Sequence, residues 1–189
     1  EMRRFTGLVC IRRSEASEEE WERMLSGDGH VMLAPHSRTE VEINAGELNT
    51  GFLSLRMQMG AGSTVKVLTS EGYVRIEEEK GPMRLPRKGD RCDWENGQLH
   101  GFTDTYHVAG YGKDDQEETY EPFWFRTFRF IRLEITAGEE PLCLTGFDYL
   151  ETGYPLEART QVTTSDSSLE AVWDISLRTL KRCMHETYE

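Results

Sequence analysis

Cysteine is scarce here and badly placed for chemistry. Cys10, Cys92, Cys143 and Cys183 form no C-x-x-C pair. No histidine stands at finger-like spacing from them, which argues against a structural zinc site. Two disulfides are arithmetically open. A chain of 189 residues can build its own core, however, so buried free thiols are the expectation. Positive charge is short as well. Against 34 Asp and Glu there are 22 Lys and Arg, a formal net charge of -12, and a surface of that sign repels phosphate backbones. Nucleic acid is therefore not an expected partner. No apolar run approaches the roughly 18 residues of a membrane span, and no secretory leader is recognisable at the start.

Catalytic signatures are missing too. The histidines, His30, His36, His100, His107 and His185, are scattered along the chain. No serine sits in a G-x-S-x-G elbow, and there is no G-x-G-x-x-G or P-loop to hold a nucleotide. No cofactor or metal is expected. Carboxylates are so abundant that a glycosidase-type pair can be drawn anywhere, and that freedom deprives the guess of value. Glu18-Glu19-Glu20 and Glu77-Glu78-Glu79 read as solvated faces.

What is present is patterning. Residues 1–30 read as a connector. Phe5 to Arg12 could form a short strand. Ser17 to Leu25 predicts a short acidic helix, with Ser17 and Glu20 as a capping box and Trp21, Met24 and Leu25 on one face. Gly27-Asp28-Gly29 ends it. From Val31 the period becomes two. Val41 and Ile43 alternate with Glu40, Glu42 and Asn44, and Leu53, Leu55, Met57 and Met59 with Ser54, Arg56 and Gln58. Short strands with regular turns and no helix between them predict an antiparallel β-sandwich over 31–157.

Glu79 to Gly101 reads as a long polar loop, a place where function often sits. Asp90, Asp93 and Asn96 there lack EF-hand spacing, and ordinary turn chemistry is the favoured account. Further strands are predicted at Thr103–Ala109, Phe123–Thr136, Leu144–Leu150 and Arg159–Thr163. The first half of Phe123–Thr136 is apolar on both faces, with Trp124, Phe128 and Phe130 on one and Phe125 and Ile131 on the other. Another element should therefore pack over it. Arg126 and Arg129 interrupt those faces and need partners.

Residues 158–189 read as a linking strand and an amphipathic helix starting at Asp166 or Ser167, with Ser167 and Glu170 as a second capping box. Leu169, Val172, Trp173, Leu177, Leu180 and Met184 trace one stripe, widened by Ile175 and Cys183. That width predicts neighbours on two sides. Among the tryptophans, Trp21 and Trp173 belong to helical stripes and read as core. Trp124 on its strand leans the same way, while Trp94 in the polar loop is more open to sugar stacking.

Taken together, these motifs resemble bacterial α-L-rhamnosidases, inverting glycoside hydrolases. The marks are V-E-I-N followed by G-E-L-N-T-G-F, then G-A-G-S-T-V-K-V, F-T-D-T-Y-H-V, Y-E-P-F-W-F-R-T-F-R-F-I-R-L-E-I and T-S-D-S-S-L-E-A-V-W. They run from about His36 onward, and the last two are the most specific. The resemblance implies a jelly-roll-like β-sandwich that precedes an (α/α)6 barrel, the helix from Asp166 being the first of that barrel. It also implies that the chain is part of a longer protein whose catalytic carboxylates lie beyond it, so no catalytic residue is expected here. Its partners would be rhamnose-containing glycans, met through the parent enzyme, and the catalytic barrel. Self-association through the C-terminal helix is the alternative. Trp94, Trp124 and Glu189 are the candidates for touching sugar. The alternatives to an accessory domain are a stand-alone carbohydrate-binding module and a purely structural sandwich. Bacterial cytoplasm, periplasm and secretion all stay open.

Overall fold

The computed structural model describes residues 1–76, 86–87, 89–113 and 116–187. In chain order the elements are β1 (Met2–Arg4), β2 (Gly7–Arg13), α1 (Glu18–Ser26), β3 (Val31–Leu33), β4 (Arg38–Met59), β5 (Thr64–Ser70) and β6 (Tyr73–Ile76). Then come β7 (Pro86–Arg87), β8 (Gln98–Leu99), β9 (Phe102–His107), β10 (Glu118–Tyr120), β11 (Arg126–Thr136), β12 (Leu142–Glu151) and α2 (Ser168–Cys183). All strand pairs are antiparallel, and the architecture is a β-sandwich with a C-terminal amphipathic helix. Neither helix is long and apolar enough to cross a membrane.

The 22-residue strand β4 belongs to both layers. Its first half pairs with β2 and β11, and β11 continues to β5 and β9. Its second half pairs with β12 and β10, with β1 and β3 on β12. Between the halves, Gly46, Glu47 and Leu48 bulge into solvent. Gly46 has φ +84, and a Cβ there would come within 2.8 Å of Thr6. A strand that bends in this way can turn the corner between two packed sheets.

The alternation seen in the sequence becomes the core. Val41 and Ile43 come from the first half of β4 and Leu53, Leu55 and Met57 from the second; Val65, Leu133, Leu144 and Phe147 meet them, and all are buried. Residues 1–30, expected as a connector, contribute more than a link. The predicted helix is there with both halves of its Ser17–Glu20 capping box. Trp21 and Met24 are fully enclosed in the same core. Glu22 accepts a bond from the Leu8 backbone at 2.7 Å, tying α1 to β2. Phe5 packs 4.6 Å from Phe147 and 5.2 Å from Tyr149.

The two-faced strand is present as β11, with a different assignment of faces. Residues two apart on a strand ordinarily share a face, yet Phe128 lies in the main core while Phe130 joins Tyr73 and Leu99 in a second cluster. The register slips between them, Phe128 pairing with Asn49 and Phe130 with Asn44, so Phe128 shares its side with Ile131. The covering element is Tyr73 of β6, which forms a small sheet with β7 and β8.

Three expectations fail. Residues 152–164 hold no strand; the Arg159–Thr163 segment has one apolar residue, Val162, and is exposed, so no face exists to bury. The second capping box is absent. Ser167 takes helical angles and makes no side-chain cap; the Asp166 carboxylate accepts from the backbone and hydroxyl of Ser168 at 3.0 and 2.7 Å instead. Trp173 is not core, because α2 buries none of its residues and leaves Leu169, Val172, Trp173 and Ile175 exposed. Of the four free thiols only Cys143 is buried. The turn reading of the polar loop fits residues 89–97, where Asp93 accepts from Asn96 and Asp90 from Cys92; residues 77–85 lie outside the described part.

Replacing Trp21 with Ala removes the largest enclosed side chain and leaves a cavity under α1. The expected loss is about 3–5 kcal/mol, to be read from urea unfolding midpoints. A loss below about 1 kcal/mol would contradict the place of α1 in the core.

Candidate functional site

The carboxylate of Glu42 is enclosed and heavily bonded. Cys10 on β2 and Arg132 on β11 are its ladder partners. Its side chain is fully enclosed, and accepts bonds from Arg132 at 2.6 and 2.9 Å, Tyr73 at 2.7 Å, Arg12 at 3.1 Å and the Cys10 thiol at 3.3 Å. Burial pulls its pKa upward, but the bonds from Tyr73, Arg132 and Arg12 outweigh that and hold it below the ordinary 4.5. Burial and the same carboxylate push the Tyr73 hydroxyl far up and the Cys10 thiol to about 12. With no face open to solvent and its oxygens occupied, Glu42 is a structural anion.

Two other carboxylates are equally committed. Glu118 accepts from the backbone of Ala109, Gly110 and Tyr111 at 2.8–2.9 Å and from the Tyr106 hydroxyl at 2.8 Å, fixing the turn after β9. Asp104 holds Arg126 through bonds of 2.8–3.1 Å and also accepts from Tyr120. Arg126 thus has the partner its position demanded. Arg129 lies over the Phe130 ring at 5.1 Å. Among the described residues no cluster of three or more His, Cys, Asp and Glu could hold a metal.

The open feature is a groove of about 820 Å³ between the sandwich and the last turn of α2. Separated segments line it, among them Thr69 to Glu71, His100 to Phe102, Trp124 to Thr127, and Arg182 with Cys183 and His185, together with Leu48, Val74 and Arg91. The end of α2 is latched here. Arg182 pairs with Glu151 and, at 3.1 Å, with Glu47, and the Tyr154 backbone donates to the Met184 carbonyl at 2.8 Å. Burial pulls the Glu151 carboxyl up, but Arg182 and Arg3 together hold it below its ordinary value.

Trp124 was expected on the strand and leaning to core. It lies before β11, where Pro122 has already broken the extended run, and is 62 % exposed on the rim of the groove. Its ring stacks on Phe125 at 5.3 Å, and Phe125 stacks on His185 at 4.1 Å with the planes only 7° apart. Both ring nitrogens of His185 are shielded from water and have no hydrogen-bond partner. Trp94 is elsewhere. The Arg12 guanidinium sits 5.5 Å from its ring and bonds to its carbonyl, so the structure does not bring Trp94 and Trp124 together. Glu189 lies outside the described residues. Sequence reasoning missed Phe102, Arg91, His100 and His185, because no local spacing signals residues gathered from distant segments.

No family model matches the chain, and no curated protein does. Solved structures do match. A GH78 family rhamnosidase of Bacillus sp. GL1 aligns over 85% of this chain at 21% identity and a TM-score of 0.57. A rhamnosidase from Klebsiella oxytoca, with rhamnose bound, aligns over 100% of it at 16% identity and a TM-score of 0.63. The chain has the fold of a rhamnosidase β-sandwich domain. It spans 15% of the first of those proteins and 36% of the second. A chitosan-binding module from a Paenibacillus chitosanase/glucanase aligns at a TM-score of 0.44 and 14% identity over 75% of this chain and 92% of its own.

Glu42→Gln leaves Arg12 and Arg132 crowded without their anion, and is expected to lower stability by about 3–5 kcal/mol at neutral pH. The pKa of Glu42 is depressed on folding, so its contribution is complete above the unfolded value of 4.5 and fades as pH falls through the folded value. The gap between wild type and variant in unfolding experiments should therefore narrow on acidification. A gap that widens would reverse the assignment.

Proposed function

We propose that this chain is the accessory β-sandwich of an α-L-rhamnosidase-like glycoside hydrolase, seated through α2 against a helical catalytic domain, with the acid and base carried outside it. The observation that supports this most is α2 itself. It is latched at its last turn, while Leu169, Val172, Trp173 and Ile175 stand uncovered. Leaving such side chains in water is unfavourable by about 1.5–3 kcal/mol each relative to burial. The likeness to the Klebsiella oxytoca rhamnosidase extends over 100% of the chain and so includes this helix. A helix kept at that place, with an apolar face left exposed, suits the first helix of a following bundle or barrel.

The chemistry points the same way. Glu42, Glu118 and Asp104, the carboxylates with the densest bonding, are each committed to structural donors. An inverting glycosidase needs one carboxyl raised in pKa as the acid and a second about 6.5–9.5 Å away to activate water. In this reading both belong to the catalytic domain, and the sandwich holds that domain and borders its site.

At high concentration the chain should release no nitrophenol from p-nitrophenyl α-L-rhamnopyranoside above the uncatalysed rate; turnover that co-purifies with it would sink the proposal. Sedimentation velocity tests the occupant of α2. A stable dimer abolished by Val172→Asp with Ile175→Asp would assign the uncovered face to a second copy rather than to a catalytic domain.

A further inference from the structure

We propose that the groove beside α2 is a binding subsite for a neutral pyranoside, with Trp124 as its stacking platform and His185 at its inner end; the choice of sugars to try rests on the hydrolase reading above. The volume of about 820 Å³ falls within the range of small-ligand sites. Its rim carries two large rings in water, Trp124 at 62 % exposure and Phe102 at 79 %, which folded chains seldom group together without a partner to cover them. Phe125 covers one face of Trp124. The other is open to the C–H face of a sugar ring.

The polar groups choose the kind of sugar. Three guanidiniums line the groove, but each already has a carboxylate. Arg126 is held by Asp104, Arg182 by Glu47 and Glu151, and Arg91 stands 3.9 Å from Glu71. Among the described residues lining the groove, every guanidinium thus has a carboxylate beside it, which disfavours a uronate, sulfate or phosphate on a chain of net charge -12. The Arg91–Glu71 pair is the loosest, beyond hydrogen-bond length, and partly exposed, so it suits hydroxyls that both donate and accept. His185 provides the second mark of a ligand. Its imidazole is fixed by stacking on Phe125, with an unpaired donor and an unpaired acceptor at the inner end. An in-plane turn keeps the stack and presents one of them to a sugar hydroxyl, and because His185 follows Met184, the C-cap residue of α2, an occupied groove also steadies the latch.

Isothermal titration calorimetry, whose signal does not depend on Trp124, decides it. The chain is titrated with methyl α-L-rhamnopyranoside, methyl β-D-galactopyranoside and sodium D-galacturonate. The proposal expects a saturable change with at least one neutral glycoside at millimolar concentration, and weaker binding of the uronate. Trp124→Ala should weaken binding by about tenfold or more with an unchanged melting temperature, because the ring is mostly in solvent. Trp94→Phe should keep the affinity. His185→Phe keeps the stack without the nitrogens and should weaken binding while the fold holds. Silence with every sugar up to about 100 mM, far beyond a useful affinity, would overturn the proposal. Equal binding by Trp124→Ala, or preference for the uronate, would do the same. Silence would leave the hydrolase reading standing, since that is tested by turnover. Turnover by the chain would remove the accessory-domain reading without touching the groove.

Discussion

One enclosed carboxylate fixes the relation between the sheets and the loops around them. Glu42 accepts from groups on β2, β6 and β11 while its own backbone belongs to β4. Four elements are therefore referred to a single point, and none can shift register without leaving a buried charge unpaired. The arrangement extends outward through Arg12, which touches Glu42 with one nitrogen and also grips the carbonyl and ring of Trp94. Tyr73 carries it the other way, from Glu42 into the apolar cluster with Phe130. A polar anchor of this kind adds little net stability over an apolar one of the same volume, but it penalises misregistered alternatives heavily.

Two irregularities then turn a plain sandwich into one with a groove. The solvent-facing bend at Gly46 lets β4 serve both layers, and it brings Glu47 to where Arg182 can reach it. The slip between Phe128 and Phe130 lets β11 feed the main core and the outer cluster in turn. Just before β11 the chain has left the ladder, and there Phe123 and Trp124 enter solvent. The groove is thus a by-product of where regular pairing stops.

The sequence was a good guide wherever the physics is local. The Ser17–Glu20 box, the alternation around Val41 and Leu53, and the start of the last helix could all be read, since each depends on neighbours within a few positions; its end could not, for the helix stops at Cys183 instead of running to the last residue. The face assignment of β11 was not legible, because the register shift between Phe128 and Phe130 comes from pairing with Asn49 and then Asn44, far away in the chain. Trp124 was misplaced for a related reason: its neighbours are aromatic and strand-like, and only Pro122 hints that the ladder starts later. Ser167 and Glu170 had the right spacing for a cap, but Asp166 reached the free donor first. The groove itself was invisible, being assembled from segments far apart in the chain.

The latch at Arg182 has a mechanical consequence. A helix of 16 residues is about 24 Å long at 1.5 Å per residue, and among the described residues the ion pairs and backbone bond that tie it to the sandwich come from Arg182 and Met184 at its end. It is a lever with its fulcrum at two charge pairs and a ring stack. A tilt of ~10° at that fulcrum moves Leu169 by ~4 Å while barely disturbing His185. Whatever takes hold of the long arm therefore has a large mechanical advantage over the short one, and the short arm is the wall of the groove.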